Sequence, residues 1–238
     1  MTTTPVSPST APSAPGTAAS AVRPGGAVTG MRVAAGIALV AGPVLFALGM
    51  LTSPPQASMA DADYIASLAR DATRTQVSAL FLHYANVALG LGLLAAPSLV
   101  RGVRGRIPAV VGALLGALGF VNVSGAILSD WWNLSAGRQL PMEQAVAVFQ
   151  GMKTASLMPL WDATEMLALL GPVLVLAGLA RAGVVRWWAI VVLVAGVVAL
   201  MAVPVSMFTL QAGLVLVGFS PFALIGLRLL QRARAGVA

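Results

Sequence analysis

Cysteine is absent from this 238-residue chain and charge is scarce, at 9% of residues. Without a thiol there are no disulfides, no thiolate metal sites and no cysteine nucleophile. A soluble domain carries about 25% charged and 45–50% apolar residues. Here 58% are hydrophobic and the mean hydropathy is +0.91. There is too little polar surface to dissolve a folded sphere, which excludes a cytosolic enzyme, a nucleic-acid-binding domain and a disordered tail protein. Histidine and lysine each occur once, as His83 and Lys153. The net charge of +7 comes from arginines spread thinly between apolar runs. That spacing reads as membrane topology and not as a nucleic-acid patch.

What is present is a series of apolar runs. Residues 1–30 are Thr, Pro, Ser, Ala and Gly with Arg23 as the only charge. They cannot bury enough apolar area to offset their ordering entropy, so they are expected to form a disordered tail. Met31 serves as well as Met1 as a start of translation. Six runs follow, at 33–51, 77–100, 107–129, 157–180, 187–204 and 207–227, each near the length that crosses a bilayer. Ser58-Met59-Ala60 imitates a signal-peptidase site, but the length of the first run and its long preceding tail favour a retained helix. The expected fold is an all-α bundle of six transmembrane helices over 31–234, with 235–238 as a short tail. Placing the N-terminus inside puts Arg23, Arg32, Arg101, Arg104, Arg106, Arg181, Arg186, Arg228, Arg232 and Arg234 inside. Only Arg70, Arg74, Arg138 and Lys153 then lie outside, so both termini are expected in the cytoplasm.

The two long outer connections carry helical signals. In 58–74, Tyr64, Ile65, Leu68 and Ala72 recur at helical spacing, and Ser58 with Asp61 resembles a capping box. In 141–152, Pro141 suits a first helical position and Met142, Ala145, Phe149 and Met152 form a stripe. Each connection is expected to hold a short amphipathic outer helix packed as a lid on the bundle. Span, outer helix, span thus occurs twice, over 33–100 and 107–180, before a final hairpin. Such repeats can bracket a binding site or be purely architectural.

Counting from the arginines at about 1.5 Å per residue gives each polar residue a depth. Asn86 and Asn122 lie about 22 Å from the inner boundary, Glu165 about 24 Å and Gln211 about 25 Å. His83 and Asp162 lie higher, at about 27 and 28 Å. Against a core of roughly 30 Å, these form a polar layer in the outer third. Such groups should face the bundle interior and satisfy one another. Burial disfavours a charged carboxyl, so Glu165 is the leading candidate for a proton carrier, general acid or ligand anchor. His83 is its possible titrating partner, or that of Asp162. Asn122 and Gln211 read more simply as interhelical glue, worth roughly 0.6 kcal/mol each. One histidine and two acids without cysteine make a poor metal site, and no metal or cofactor is expected.

Gly112 and Gly116 form a GxxxG, with Gly119 following, and mark a close helix–helix face. Gly90-Leu91-Gly92 imitates a dinucleotide fingerprint, but no strand precedes it. Trp131, Trp132, Trp161, Trp187 and Trp188 fall at span ends, as interfacial belts do. Asn133-Leu134-Ser135 is a formal glycosylation sequon. The terminal arginines are explained by anchoring.

With its helices before the second and fourth spans and stretches such as Leu160-Trp161-Asp162-Ala163-Thr164-Glu165 followed by Gly171-Pro172, the chain resembles one group over about 33–230. That group is the uncharacterised six-helix bacterial integral membrane proteins known only as a domain of unknown function. The resemblance implies a bacterial plasma membrane and no assigned activity; the bias of arginine over lysine fits a GC-rich bacterium. Three functional readings stand. The first is binding or movement of a small lipophilic molecule through an outward-facing polar pocket lined by Glu165, Asp162, His83, Asn86, Asn122 and Gln211. The second is a scaffold or regulator of a partner membrane protein. The third is an intramembrane enzyme on a lipid or isoprenoid, with Glu165 or Asp162 as acid and His83 as partner. Expected partners are membrane lipid, a lipophilic ligand, and a second copy or another membrane protein.

Overall fold

The computed structural model describes residues 26–236, and all regular structure within them is helical. Helix α1 spans Gly26–Thr52, α2 Asp61–Arg70, α3 Ala72–Leu93 and, after a 3₁₀ turn at Ala96–Leu99, α4 Arg106–Gln139. The second half holds α5 Met142–Lys153, α6 Met158–Glu165, α7 Leu167–Arg181, α8 Trp188–Ala202, α9 Phe208–Gly218 and α10 Ser220–Arg234. Residues 1–25 of the expected tail lie outside the described residues. Residues 26–30 do not belong to a tail, because α1 begins at Gly26. Among the described residues, four segments are long and apolar enough to cross a membrane: α1, α3, α4 and the combined stretch Met158–Arg181. A fifth is the pair α9 and α10 if their 41° bend is a break within one span. Helix α8 is apolar but only 15 residues long.

Several ends differ from the apolar-run boundaries, each for a local reason. Helix α1 stops before Pro54-Pro55, which have no N–H to continue it. Its last carbonyls are taken by side chains: Thr52 Oγ1 donates to Leu48 O at 2.7 Å and Ser53 Oγ to Gly49 O at 3.0 Å. The Arg74 guanidinium donates to the Leu51 and Thr52 carbonyls at 3.3 and 3.4 Å. A cation at that C-terminus also complements the helix dipole. This arginine, on the expected outer side, therefore has a capping role. Helix α3 starts at Ala72, capped by Asp71, whose Oδ1 accepts from the Arg74 N–H at 3.0 Å. It ends at Leu93, not at Val100, because Pro97 forces the chain into the 3₁₀ turn. Helix α4 runs ten residues past Ser129, so Trp131 and Trp132 sit within it.

The expected capping box does not form. Helix α2 begins after Ala60, and the Ser58 hydroxyl donates to Asp63 Oδ2 at 2.5 Å while accepting from the Ala60 N–H. Pro141 is likewise the N-cap of α5 and not its first helical residue. Both short helices fold onto the extended end of α4. Ile65, Ala145 and Phe149 form a small separate core beside Ala136 and Tyr64. The Tyr64 and Phe149 rings lie 5.3 Å apart, and the Tyr64 hydroxyl donates to the Asp130 carboxylate. Burial, then the Asp130 charge, pushes the Tyr64 phenol above its usual range, so it stays a donor. At the rim, Lys153 pairs with Asp61 at 2.7 Å and lies 4.3 Å from the Phe149 ring centre.

The main bundle is held by small residues. Between membrane helices the hydrophobic effect is weak, and close van der Waals packing replaces it. Side chains such as Ile37, Leu114, Val191 and Val217 face outward, while glycines line the seams. A Cβ on Gly112 would come 2.6 Å from the Gly171 carbonyl oxygen, and one on Gly178 2.6 Å from the Ala109 nitrogen. The GxxxG face of α4 therefore packs on α7. Gly226 of α10 meets the Gly36 carbonyl of α1 in the same way, at 2.6 Å. At the start of α4, Gly105 adopts φ +78°, and a side chain there would strike the Gly178 carbonyl.

Gly112→Leu should destabilise the purified protein by about 1–3 kcal/mol through overpacking. Gly151→Ala, on an exposed face of α5 with open space around it, should be neutral or stabilising by about 0.5–1 kcal/mol. Thermal melts in detergent check both; equal melting of the two variants would remove the glycine seam as the basis of packing. The second expectation concerns pH. Hydrogen bonds from Lys153 and Gln150 hold the Asp61 carboxyl below its ordinary 3.8. A depressed carboxyl contributes stability above its unfolded value and loses it as pH falls through the folded one. Amide exchange in α2 should therefore accelerate relative to α1 below about pH 4, with that step absent in Lys153→Gln.

Candidate functional site

A cavity of about 330 Å³ lies where α1, α3, α4, α8, the α6–α7 junction and the α9–α10 bend meet. Its wall is mainly aromatic. Phe46 and Phe219 lie edge to face with ring centres 5.2 Å apart, Phe219 and Phe222 at 5.4 Å, and Phe222 and Phe120 at 5.7 Å. This edge-on geometry is the favoured one for phenyl rings. Leu193, Val197 and Leu200 of α8 complete the apolar side. Met166 and Met201, both exposed, stand at the rim. Methionine suits a mouth that must accept varied shapes.

Two polar groups reach this cavity, Asn86 and Glu165. Asn86 is 1% exposed and donates from Nδ2 to the Leu82 carbonyl at 2.8 Å. An amide has a second N–H and an acceptor oxygen, so it keeps capacity for a guest. Glu165 is half-buried and is the last residue of α6; Met166 alone separates it from α7. Pro172 within α7 cannot donate to the Ala168 carbonyl, which loosens the turn beside the cavity. The Met166 carbonyl accepts from both Leu169 and Leu170, at 3.1 and 3.0 Å, so the junction remains satisfied. The carbonyl-bearing end of α6 carries partial negative charge. One residue on, the N-terminal end of α7 offsets it, so the polar character of the site rests on the carboxyl and the amide against the phenyl wall.

The other four residues of the expected layer do not line the cavity. His83 places Nδ1 2.6 Å from the Ser124 hydroxyl and packs edge-on against Tyr84 at 5.0 Å. Asn122 donates to the Trp161 carbonyl at 3.1 Å. Gln211 donates to the Val203 carbonyl at 3.4 Å, across the turn between α8 and α9. Asp162 is exposed on α6. Two of six thus converge, and the pocket is lined mainly by apolar side chains, not the polar one expected. Among the described residues no group of three His, Asp or Glu side chains could hold a metal ion. Asn133 of the sequon is 7% exposed within α4, so its amide is enclosed by protein.

The phenylalanine wall had no part in the sequence expectation. Four of the seven phenylalanines line the cavity, at Phe46, Phe120, Phe219 and Phe222. The available signal was their position inside the runs, whereas the tryptophans gather near run ends. No protein-family model, curated protein or solved structure matches this chain.

Proposed function

We propose that the chain is a six-pass membrane protein that binds, or moves, a small lipophilic molecule in the cavity between α4, α7 and α8. The observation that carries this reading is the meeting of Asn86 and Glu165 with a four-phenylalanine wall, beside the α6–α7 junction and the α9–α10 bend. Broken helices beside a mid-bundle site are how membrane proteins free polar groups for a guest without exposing backbone to lipid. Glu165 and Asn86 are its polar anchors. The catalytic reading has less support, since His83 is engaged with Ser124 and not with an acid. For Asn122 and Gln211 the structural reading is favoured, because each is bonded to a backbone carbonyl.

Parity supports six passes. One recess is lined jointly by Leu99 and Arg101, by the turn 182–184 after α7, and by Arg228 to Ala235 of α10. After reaching that end at Ala182, the chain must leave and return before Arg228. Helix α8 is the outgoing pass and α9 with α10 the returning one. Fifteen residues rise only about 22 Å, a shortfall that local bilayer thinning accommodates. We place the arginine-bearing end in the cytoplasm of a bacterium, with α2 and α5 outside as a lid on α4.

Binding is tested with a photoreactive fatty alcohol and its alkane counterpart, reacted with the protein in nanodiscs. Both should label α6–α8 peptides, and Val197→Trp, which fills the cavity, should lower labelling by about tenfold or more. Glu165→Leu should reduce alcohol labelling about five- to tenfold, near the value of one hydrogen bond, and spare the alkane. Labelling unchanged by Val197→Trp would sink the reading. Topology is tested separately, since native cysteine is absent. In intact cells an impermeant thiol reagent should modify Ser135→Cys and leave Arg104→Cys untouched; the reverse pattern would invert the proposed orientation.

A further inference from the structure

The recess at the opposite end from α2 and α5 encloses about 460 Å³. Arg101, from the loop before α4, lines it together with Arg228 and Arg232, one helical turn apart on α10, and with Gln231. The floor is the α7–α8 turn at Gly183 and Val184, with Leu99 beside it. Arg232 is held in place: its Nη1 donates to the Ser98 carbonyl at 2.6 Å. Two buried polar atoms at that point, Arg232 Nε and Ser98 Oγ, have no hydrogen-bond partner. Buried polar atoms left in this way are uncommon in a folded protein and mark a point short of hydrogen-bond partners. The charges of Arg101 and Arg32 both act on Arg232. No carboxylate pairs with Arg101, Arg228 or Arg232 among the described residues. The seven acids lie elsewhere in the sequence, at 61–71, 130, 143, 162 and 165.

Convergent guanidinium groups repel one another, and an anion relieves that repulsion. Arginine forks match phosphate oxygens in pairs. We propose that this recess is a binding site for a phosphate-bearing anion, and specifically for the headgroup of an anionic phospholipid. Its level favours lipid over a free anion. The recess is built from the ends of apolar helices, and the exposed Trp187 and Trp188 follow its floor by a few residues. Exposed tryptophans mark headgroup depth, and basic pockets between membrane helices on the cytoplasmic side take such headgroups. The site is independent of the lipophile cavity and shares no lining residue with it.

The test uses the full chain in detergent, with melting temperature and native mass spectrometry as readouts. Phosphatidylglycerol should raise the melting temperature and remain bound as discrete adducts, while phosphatidylcholine should do neither. The double variant Arg101→Gln with Arg228→Gln should lower phosphatidylglycerol affinity by about tenfold or more. Arg104→Gln with Arg106→Gln removes the same charge from exposed positions outside the recess, and should keep the affinity. Equal loss in both double variants would reduce the effect to diffuse attraction and overturn the site. Stabilisation by phosphatidylcholine to the same degree would overturn its charge selectivity. If inorganic phosphate at millimolar concentration reproduced the shift without lipid, the ligand would be a soluble phosphate and the lipid assignment would fall. Should the Arg101/Arg228 variant fail to fold, Gln231→Trp, which crowds the recess without changing charge, should still abolish the adducts.

Discussion

Backbone-to-backbone contact at glycine is the constraint on which the rest of this structure depends. Three seams use it: Gly112 and Gly116 of α4 against Gly171 of α7, Gly36 of α1 against Gly226 of α10, and Gly196 of α8 against Gly218 of α9. With apolar side chains turned outward, shape at these seams decides which helices are neighbours, because lipid offers Leu and Val as good an environment as protein does. Where glycine contact stops, helices diverge. Gly119 packs against Leu167 and Ala168, the first residues of α7. Immediately before them the helix loses its regular hydrogen bonding at Met166, and the cavity lies beside that turn. Gly218 similarly ends the α8–α9 seam one residue before Phe219 turns into the cavity wall.

This division explains what sequence can and cannot reveal in such a protein. Helical content and the apolar runs were legible, because hydropathy reads burial in lipid directly. The GxxxG face of α4 was legible too, as a pattern internal to one helix. Its partner on α7 was not, nor were the Gly36–Gly226 and Gly196–Gly218 contacts, since pairing depends on azimuth as well as depth. The polar layer shows the same limit. Counting residues gives depth, and Asn86 and Glu165 meet at similar depth. Asn122 and Gln211 share that depth but turn onto the carbonyls of Trp161 and Val203. The phenylalanine wall was hidden because its members come from α1, α4 and the α9–α10 bend, and no single helix carries the set.

The two ends of the bundle settle their charges differently. At the α2–α5 end, opposite charges find each other or find backbone: Lys153 with Asp61, Arg74 with the α1 carbonyls, and Tyr64 with Asp130. A second small core beneath them makes that end self-sufficient. At the other end the arginines converge on each other and on the Ser98 carbonyl. Positive charge there anchors orientation, but anchoring alone asks only for arginines in water. Gathering three of them around one recess adds a repulsion that orientation does not need.

Helix α8 is held less firmly than α4 and α7, the helices it faces across the cavity. Only Ala189 and Leu193 of its residues are buried, and its one glycine contact is at Gly196. Helices α4 and α7, by contrast, are clamped along several turns by Gly105, Gly112, Gly116, Gly171 and Gly178. Low burial and sparse contact lower the free energy of local displacement. A shift of α8 about Gly196 would move Val197, Leu200 and Met201 at the cavity while leaving the glycine-clamped helices in register. Met201, 81% exposed near the end of α8, lines the cavity together with Met166. Under the proposed function, this side of the cavity, where exposure and sparse burial coincide, is the way in for the lipophilic guest.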